Sequence, residues 1–169
     1  MTAFDQALRR WPILALVISA AMLAIAHGFQ TFGHMAPCHL CLKEREVYWA
    51  AMAISAVAIV AGLTPLKGVG ARIGSAALVL AFAYSAYLAG FHAGAEWKWW
   101  PAPVTCASTG PVNLSALKAL LAGGGAHQPK CDEAPWVFLG LSMAGWNFVI
   151  SVGLTLVSLA AALRKGDPA

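Results

Sequence analysis

Four cysteines carry the chemistry that this sequence makes available: Cys38, Cys41, Cys106 and Cys131. Cys38-His39-Leu40-Cys41 is a C-x-x-C pair, whereas Cys106 and Cys131 are separated by 24 residues. A disulfide across the longer interval would constrain the unfolded chain by roughly 3 kcal/mol, so a structural staple is one reading of it. The short pair closes almost no loop and gains little from cross-linking. Such pairs instead commonly depress a thiol pKa and exchange electrons. Zinc is an alternative, with His34 or His39 as further ligands, but no second C-x-x-C completes a four-ligand set. The haem-attachment pattern fails, because Leu42 rather than a histidine follows Cys41.

Arg45 follows Cys41 by four residues, so a helix begun there would put guanidinium and thiol on one face. A helix N-terminus and a fixed positive charge both favour thiolate, which makes Cys41 the expected reactive sulfur. The alternative for Arg45 is an interfacial arginine reaching for headgroups. Glu44 and Glu46 read as solvated flanks. His27 and His92 could face one another as haem ligands, or His92 could line a quinone pocket as a hydrogen-bond donor; an ordinary interfacial histidine is the plain alternative for each.

The elements that must position these residues follow from composition. Of 169 residues, 60% are hydrophobic and 11% charged, against about 45 to 50% and about 25% in soluble domains. A soluble globule is thereby excluded. The net charge of +4 is spread over few charged positions, which argues against a nucleic-acid footprint. A bilayer-spanning helix needs about 20 apolar residues, and four uncharged runs meet that need, at about 11–32, 47–66, 73–95 and 143–163. The expectation is an all-α membrane protein: a single domain, residues 1–169, forming a four-transmembrane-helix bundle. Small residues such as Ser19, Gly74, Ser75, Ser85, Ser151 and Gly153 would let the helices approach closely. The first run, with Arg9 and Arg10 before it and Ala24-Ile25-Ala26 within it, has features of a cleaved signal peptide, but a retained helix is the expectation.

Charge sets the orientation. One side would hold six bases, Arg9, Arg10, Lys67, Arg72, Arg164 and Lys165, against Asp5 and Asp167, a net of +4. The other would hold five bases and five acids, a net of zero. The first side is therefore expected to be cytoplasmic, with both termini there. All four cysteines fall in two loops on the opposite side, where disulfides persist. The longer loop carries Trp97, Trp99, Trp100 and Trp136, most simply interfacial anchors. Within it Asn113 could cap a short membrane-surface helix through Leu121 that Gly123-Gly124-Gly125 would break.

With these features in view the chain resembles the DsbB family of membrane thiol:quinone oxidoreductases. The likeness runs over nearly the whole chain. It rests on four spans, on Cys38-His39-Leu40-Cys41 followed by Leu42-Lys43-Glu44-Arg45, on Tyr87 to His92, and on Cys106 with Cys131. The runs Cys131-Asp132-Glu133-Ala134-Pro135-Trp136 and Phe138-Leu139-Gly140-Leu141-Ser142-Met143 add to it. The resemblance implies an enzyme of the bacterial inner membrane with its cysteine loops periplasmic. A reduced DsbA-like thioredoxin-fold oxidase would attack the Cys106/Cys131 disulfide at Cys106. Electrons would pass to Cys38/Cys41 and from Cys41 to ubiquinone, or menaquinone, drawn from the quinone pool beside Arg45 and His92. The rival class is a non-catalytic membrane protein with structural disulfides or a metal or haem site. A thiol relay running inward would need cysteines within the spans or on the basic side, and there is none.

Overall fold

The computed structural model describes residues 2–65, 67–103, 106 and 130–164. Five helices follow one another among them: α1 (Ala3–Arg9), α2 (Trp11–Thr31), α3 (His39–Gly62), α4 (Lys67–Glu96) and α5 (Met143–Leu163). The last four are each long and apolar enough to cross a bilayer, and the chain is a multi-pass, all-α membrane bundle.

Two of the spans differ from the lengths that uncharged runs suggest. α3 begins at His39, eight residues before the expected 47, and α4 begins at Lys67 rather than 73. The early start of α3 has a local cause. Cys38 is its N-cap, and the thiol accepts a hydrogen bond from the Cys41 amide at 3.2 Å, satisfying a donor that the first turn leaves open. Lys43 and Glu46 pair on the exposed face of the added turns at 2.8 Å. α1, which charge-free runs do not reveal, is held by a reciprocal cap between Thr2 and Asp5. Pro12 then opens α2 at a position where no amide partner is lost.

α5 packs along α4, α4 along α3, and α3 along α2, while α2 and α5 meet only sparsely. Small residues allow the closest approach. A Cβ on Gly74 would stand 2.5 Å from the Ala58 Cβ, and one on Gly70 would stand 2.6 Å from that of Ala61, so α3 and α4 touch through a small-residue seam. Ser19, Ser75, Ser85 and Ser151 are buried as expected, but Gly153 has nothing within 4 Å and serves no such seam.

A hairpin leads into α5. β1 (Val137–Phe138) pairs antiparallel with β2 (Leu141–Ser142), turning through Leu139 and Gly140 at φ 51° and 81°, the two left-handed positions of a type I′ turn. Ser142 then caps α5 by accepting from the Gly145 amide at 3.1 Å. The expected surface helix at 113–121 lies outside the described residues.

Candidate functional site

Capping α3 at Cys38 fixes the whole first pair, because Cys41 follows one turn later inside the helix. Both are free thiols, Cys38 buried and Cys41 half-buried. Cys106 and Cys131 are joined as a disulfide with their Cα atoms 5.6 Å apart. The four come together: Cys38, Leu40 and Cys131 form one buried cluster, with Cys41, Phe91, Ala102 and Cys106 packed against it. Two pairs distant in sequence thus lie beside one another. Within the disulfide the sulfurs are unequally accessible, Cys131 being 1% exposed and Cys106 half-buried.

The cap contact belongs to Cys38, where the sequence pointed to Cys41 as the thiol favoured by the helix end. The contact with the Cys41 thiol, aided by the Cys41 and Leu40 amides, holds the Cys38 pKa below the ordinary thiol value in spite of burial. Beyond the second pair, Lys98 donates to the Asp132 carboxylate at 2.6 Å and holds its pKa below the usual range. That link ties the segment carrying Cys131 to the end of α4.

Glu44 is a correction of the sequence reading. Rather than a solvated flank it is 8% exposed, with Oε1 2.8 Å from His92 Nδ1 and Oε2 accepting from Asn147 Nδ2 at 2.6 Å. Three helices meet at this one carboxylate. Glu46 is exposed as expected. His92 is buried, and its Nε2 lies 3.6 Å from Cys38 Sγ and 3.9 Å from Glu96 Oε1. Glu96 is in turn hydrogen-bonded by the Ser142 hydroxyl. The donor atoms of Cys38, Cys41 and His92 all lie within 4.8 Å of one another, so the histidine at the pair is His92 and not His34 or His39. His27 does not join them; its Nδ1 donates to Leu23 O in its own helix at 2.7 Å.

Arg45 reaches across to α2. Its guanidinium donates to Gln30 Oε1 at 2.6 Å and to the Ala26 carbonyl at 3.1 Å. Cys41, Arg45 and His92 nevertheless line one cavity, of about 360 Å³, with Cys38 and Glu44. Met22, Ile25, Phe29, Trp136 and Ile150 supply part of its apolar wall. Trp136 is set there by ring contacts with Phe29 and Phe138 at 5.3 and 5.8 Å. An apolar cavity with a few convergent polar groups has the character of a small-molecule site. Trp97, Trp99 and Trp100 form a chain of ring contacts ending on Phe91, beside the cysteine cluster.

Comparison with known proteins bears on these features together. A family model described as "Disulfide bond formation protein DsbB" matches residues 8–161. A protein of Polaromonas sp. (strain JS666 / ATCC BAA-500) named "Disulfide bond formation protein B" is 33% identical over 165 residues, covering 94% of this chain and 93% of its own. One of the same name from Paracidovorax citrulli is 33% identical over 98% of this chain and 93% of its own. A third, from Albidiferax ferrireducens, is 31% identical over 95% and 91%.

Proposed function

The chain belongs to the DsbB family, membrane oxidoreductases of disulfide bond formation, and from that premise we propose that it is a protein-dithiol:quinone oxidoreductase. It reoxidises a periplasmic DsbA-like thioredoxin-fold oxidase and passes the electrons through its two cysteine pairs to ubiquinone, with menaquinone as the alternative acceptor. The single domain sits in the bacterial inner membrane with both termini cytoplasmic and the cysteines periplasmic, in keeping with the +4 against zero division of charge.

The observation that carries this reading is the contact between the two pairs, with the first pair on the wall of the cavity. In each step a thiolate attacks a disulfide sulfur and releases another thiolate. The partner's thiolate attacks Cys106, the more accessible sulfur of its pair, and Cys131 is released. Cys131 shares a buried cluster with Cys38 and Leu40, so the next exchange joins residues already packed in one place. The electrons then rest on Cys38 and Cys41 as two thiols. Bound in the cavity, a quinone supplies an acceptor for two electrons and two protons. Arg45 and His92, which line the cavity, would hold such a group and polarise it, and the apolar wall would exclude water. Arg45 also ties α3 to α2, so it shapes the cavity as well as charging it.

The test is a coupled assay with purified protein, reduced partner oxidase and ubiquinone. We expect one quinol for each partner disulfide formed. Partner oxidation that proceeds without quinone loss would refute the reading.

A further inference from the structure

Electron transfer to a quinone must also move two thiol protons, and the two sulfurs of the first pair stand in different surroundings. Cys38 Sγ faces His92 Nε2 at 3.6 Å, and His92 Nδ1 faces Glu44 Oε1 at 2.8 Å. The chain of contacts continues inward. Glu44 Oε2 accepts from Asn147, whose Oδ1 accepts from the Tyr48 hydroxyl at 2.5 Å; Tyr48 meets Ser151 at 3.2 Å, and Ser151 donates to Ser85 at 2.9 Å. Every one of these side chains is buried. A carboxylate within a membrane helix is costly unless partnered and marks function by default. Here its partners come from two other helices, α4 and α5. In the neutral imidazole, an Nδ1–H donated to Glu44 leaves the lone pair of Nε2 facing the Cys38 sulfur.

We propose that His92 and Glu44 form a proton-accepting couple for Cys38, in which Nε2 takes the thiol proton and Glu44 positions the imidazole. The proposal rests on the thiol:quinone reading and assigns a step within it. As the Cys38–Cys41 bond forms, both S–H bonds break and two electrons pass to the quinone. The Cys38 proton goes to Nε2 and from there to a quinone oxygen, the Cys41 proton goes to the other oxygen, and quinol leaves. His92 is then neutral again, with no net gain of protons by the protein. The arrangement parallels the nucleophile, base and orienting group of cysteine enzymes, although here the thiolate forms a disulfide. The contacts of Cys38 with the Cys41 thiol and then with the Cys41 amide, which already lower its pKa, work in the same direction.

Several groups act on the pH response. α3 presents Glu44, Cys41 and Tyr48 to this region, α4 presents Glu96, and α5 presents the neutral Asn147. Cys131 and Cys106 do not titrate while joined. Lys130, Glu133 and Arg45 line the same cavity.

The test reads the Cys38 thiol without quinone. In Cys41→Ala protein in lipid nanodiscs, with Cys106 and Cys131 joined, Cys38 is the single free thiol. Its alkylation by iodoacetamide is followed from pH 5 to 10 by mass spectrometry. Glu44→Gln and His92→Asn should each slow alkylation at pH 7 about tenfold, a shift of about one pH unit in the profile, and Glu44→Asp should lie nearer the parent than Glu44→Gln. The sign is decisive. Were Glu44 merely a negative charge near the sulfur, removing it would favour thiolate and speed the reaction. Partner exchange at Cys106–Cys131 in the same preparations reports folding, and if His92→Asn fails there, Glu44→Gln carries the test. Profiles that superimpose, or faster alkylation in Glu44→Gln, would overturn the couple. Slower alkylation in the Cys41→Ala background, together with no quinone reduction by the parent protein that keeps Cys41, would uphold the couple at the thiol and overturn the enzyme reading instead.

Discussion

His92 Nδ1 lies 2.8 Å from Glu44 Oε1, joining the end of α4 to the first turns of α3 at the level of the Cys38 thiol. The two residues are 48 positions apart, and Asn147 reaches the same carboxylate from 103 positions away. A buried charge satisfied from two other helices fixes how those helices pack around the cysteines. This junction also separates two kinds of variant: those that alter the cavity and those that alter the sulfurs.

Arg45 belongs to the first kind. Its fork spans Gln30 Oε1 and the Ala26 carbonyl, two acceptors that a lysine ammonium cannot match in geometry. Arg45→Lys and Arg45→Ala should raise the quinone KM by about tenfold, equivalent to ~1.4 kcal/mol, while single-turnover exchange with the partner stays near the parent rate. Steady-state kinetics over a quinone titration, with the exchange measured separately, checks this. An unchanged quinone dependence in both variants would remove Arg45 from the site.

Cys106 belongs to the second. It is half-buried where Cys131 is almost fully covered, so an incoming thiolate should meet Cys106 first. Cys131→Ser should leave a mixed disulfide with the partner that can be trapped and mapped to Cys106. Adducts that persist in Cys106→Ser and map to Cys131 would reverse the order.

The seam between α3 and α4 gives a stability prediction independent of redox chemistry. Gly74→Val places methyl groups where even a Cβ would meet Ala58 at 2.5 Å, and the helices must part. Overpacking of this kind costs typically 1 to 3 kcal/mol, so thermal unfolding in detergent should shift downward by an amount of about that size. Gly153→Val, at a position with nothing within 4 Å, should shift it far less.

Topology can be read in intact cells. After mild reduction, a membrane-impermeant thiol reagent should modify the cysteines without lysis, with Cys106 the more reactive of its pair. Labelling that appears only after lysis would invert the orientation drawn from the +4 side.

The spans and the cysteines were legible in the sequence for simple reasons. Ionised side chains are scarce at the centre of a bilayer, so charges mark where α2 begins, after Arg10, and where α5 ends, before Arg164, although the uncharged runs themselves extend past α2 to Leu42 and begin before α5 at Ala134. Charge-based delimitation fails at α3, whose first turns carry Lys43, Glu44, Arg45 and Glu46. A run of four charged residues reads as a solvated flank unless their distant partners are known. The burial of Glu44 is hidden from the sequence for that reason, since His92 and Asn147 lie far along the chain. The signal that could have found it was its spacing, three residues from Cys41 and on the side of α3 turned to α4 and α5. The hairpin before α5 was also legible in principle, since Leu139-Gly140 sits between short apolar runs, but two-residue strands carry little periodicity.

The central claim is that electrons leave this protein for a quinone through Cys41, and one measurement bears on it most directly. A Cys106→Ala/Cys131→Ala protein, carrying Cys38 and Cys41 alone as thiols, is mixed with one equivalent of ubiquinone in a single turnover. Quinone absorbance and the Cys38–Cys41 linkage are then followed together. The account predicts one quinol per Cys38–Cys41 disulfide, with neither product formed once Cys41→Ser is added. Quinone left oxidised by the dithiol protein, or reduced at an undiminished rate by the Cys41→Ser protein, would contradict it.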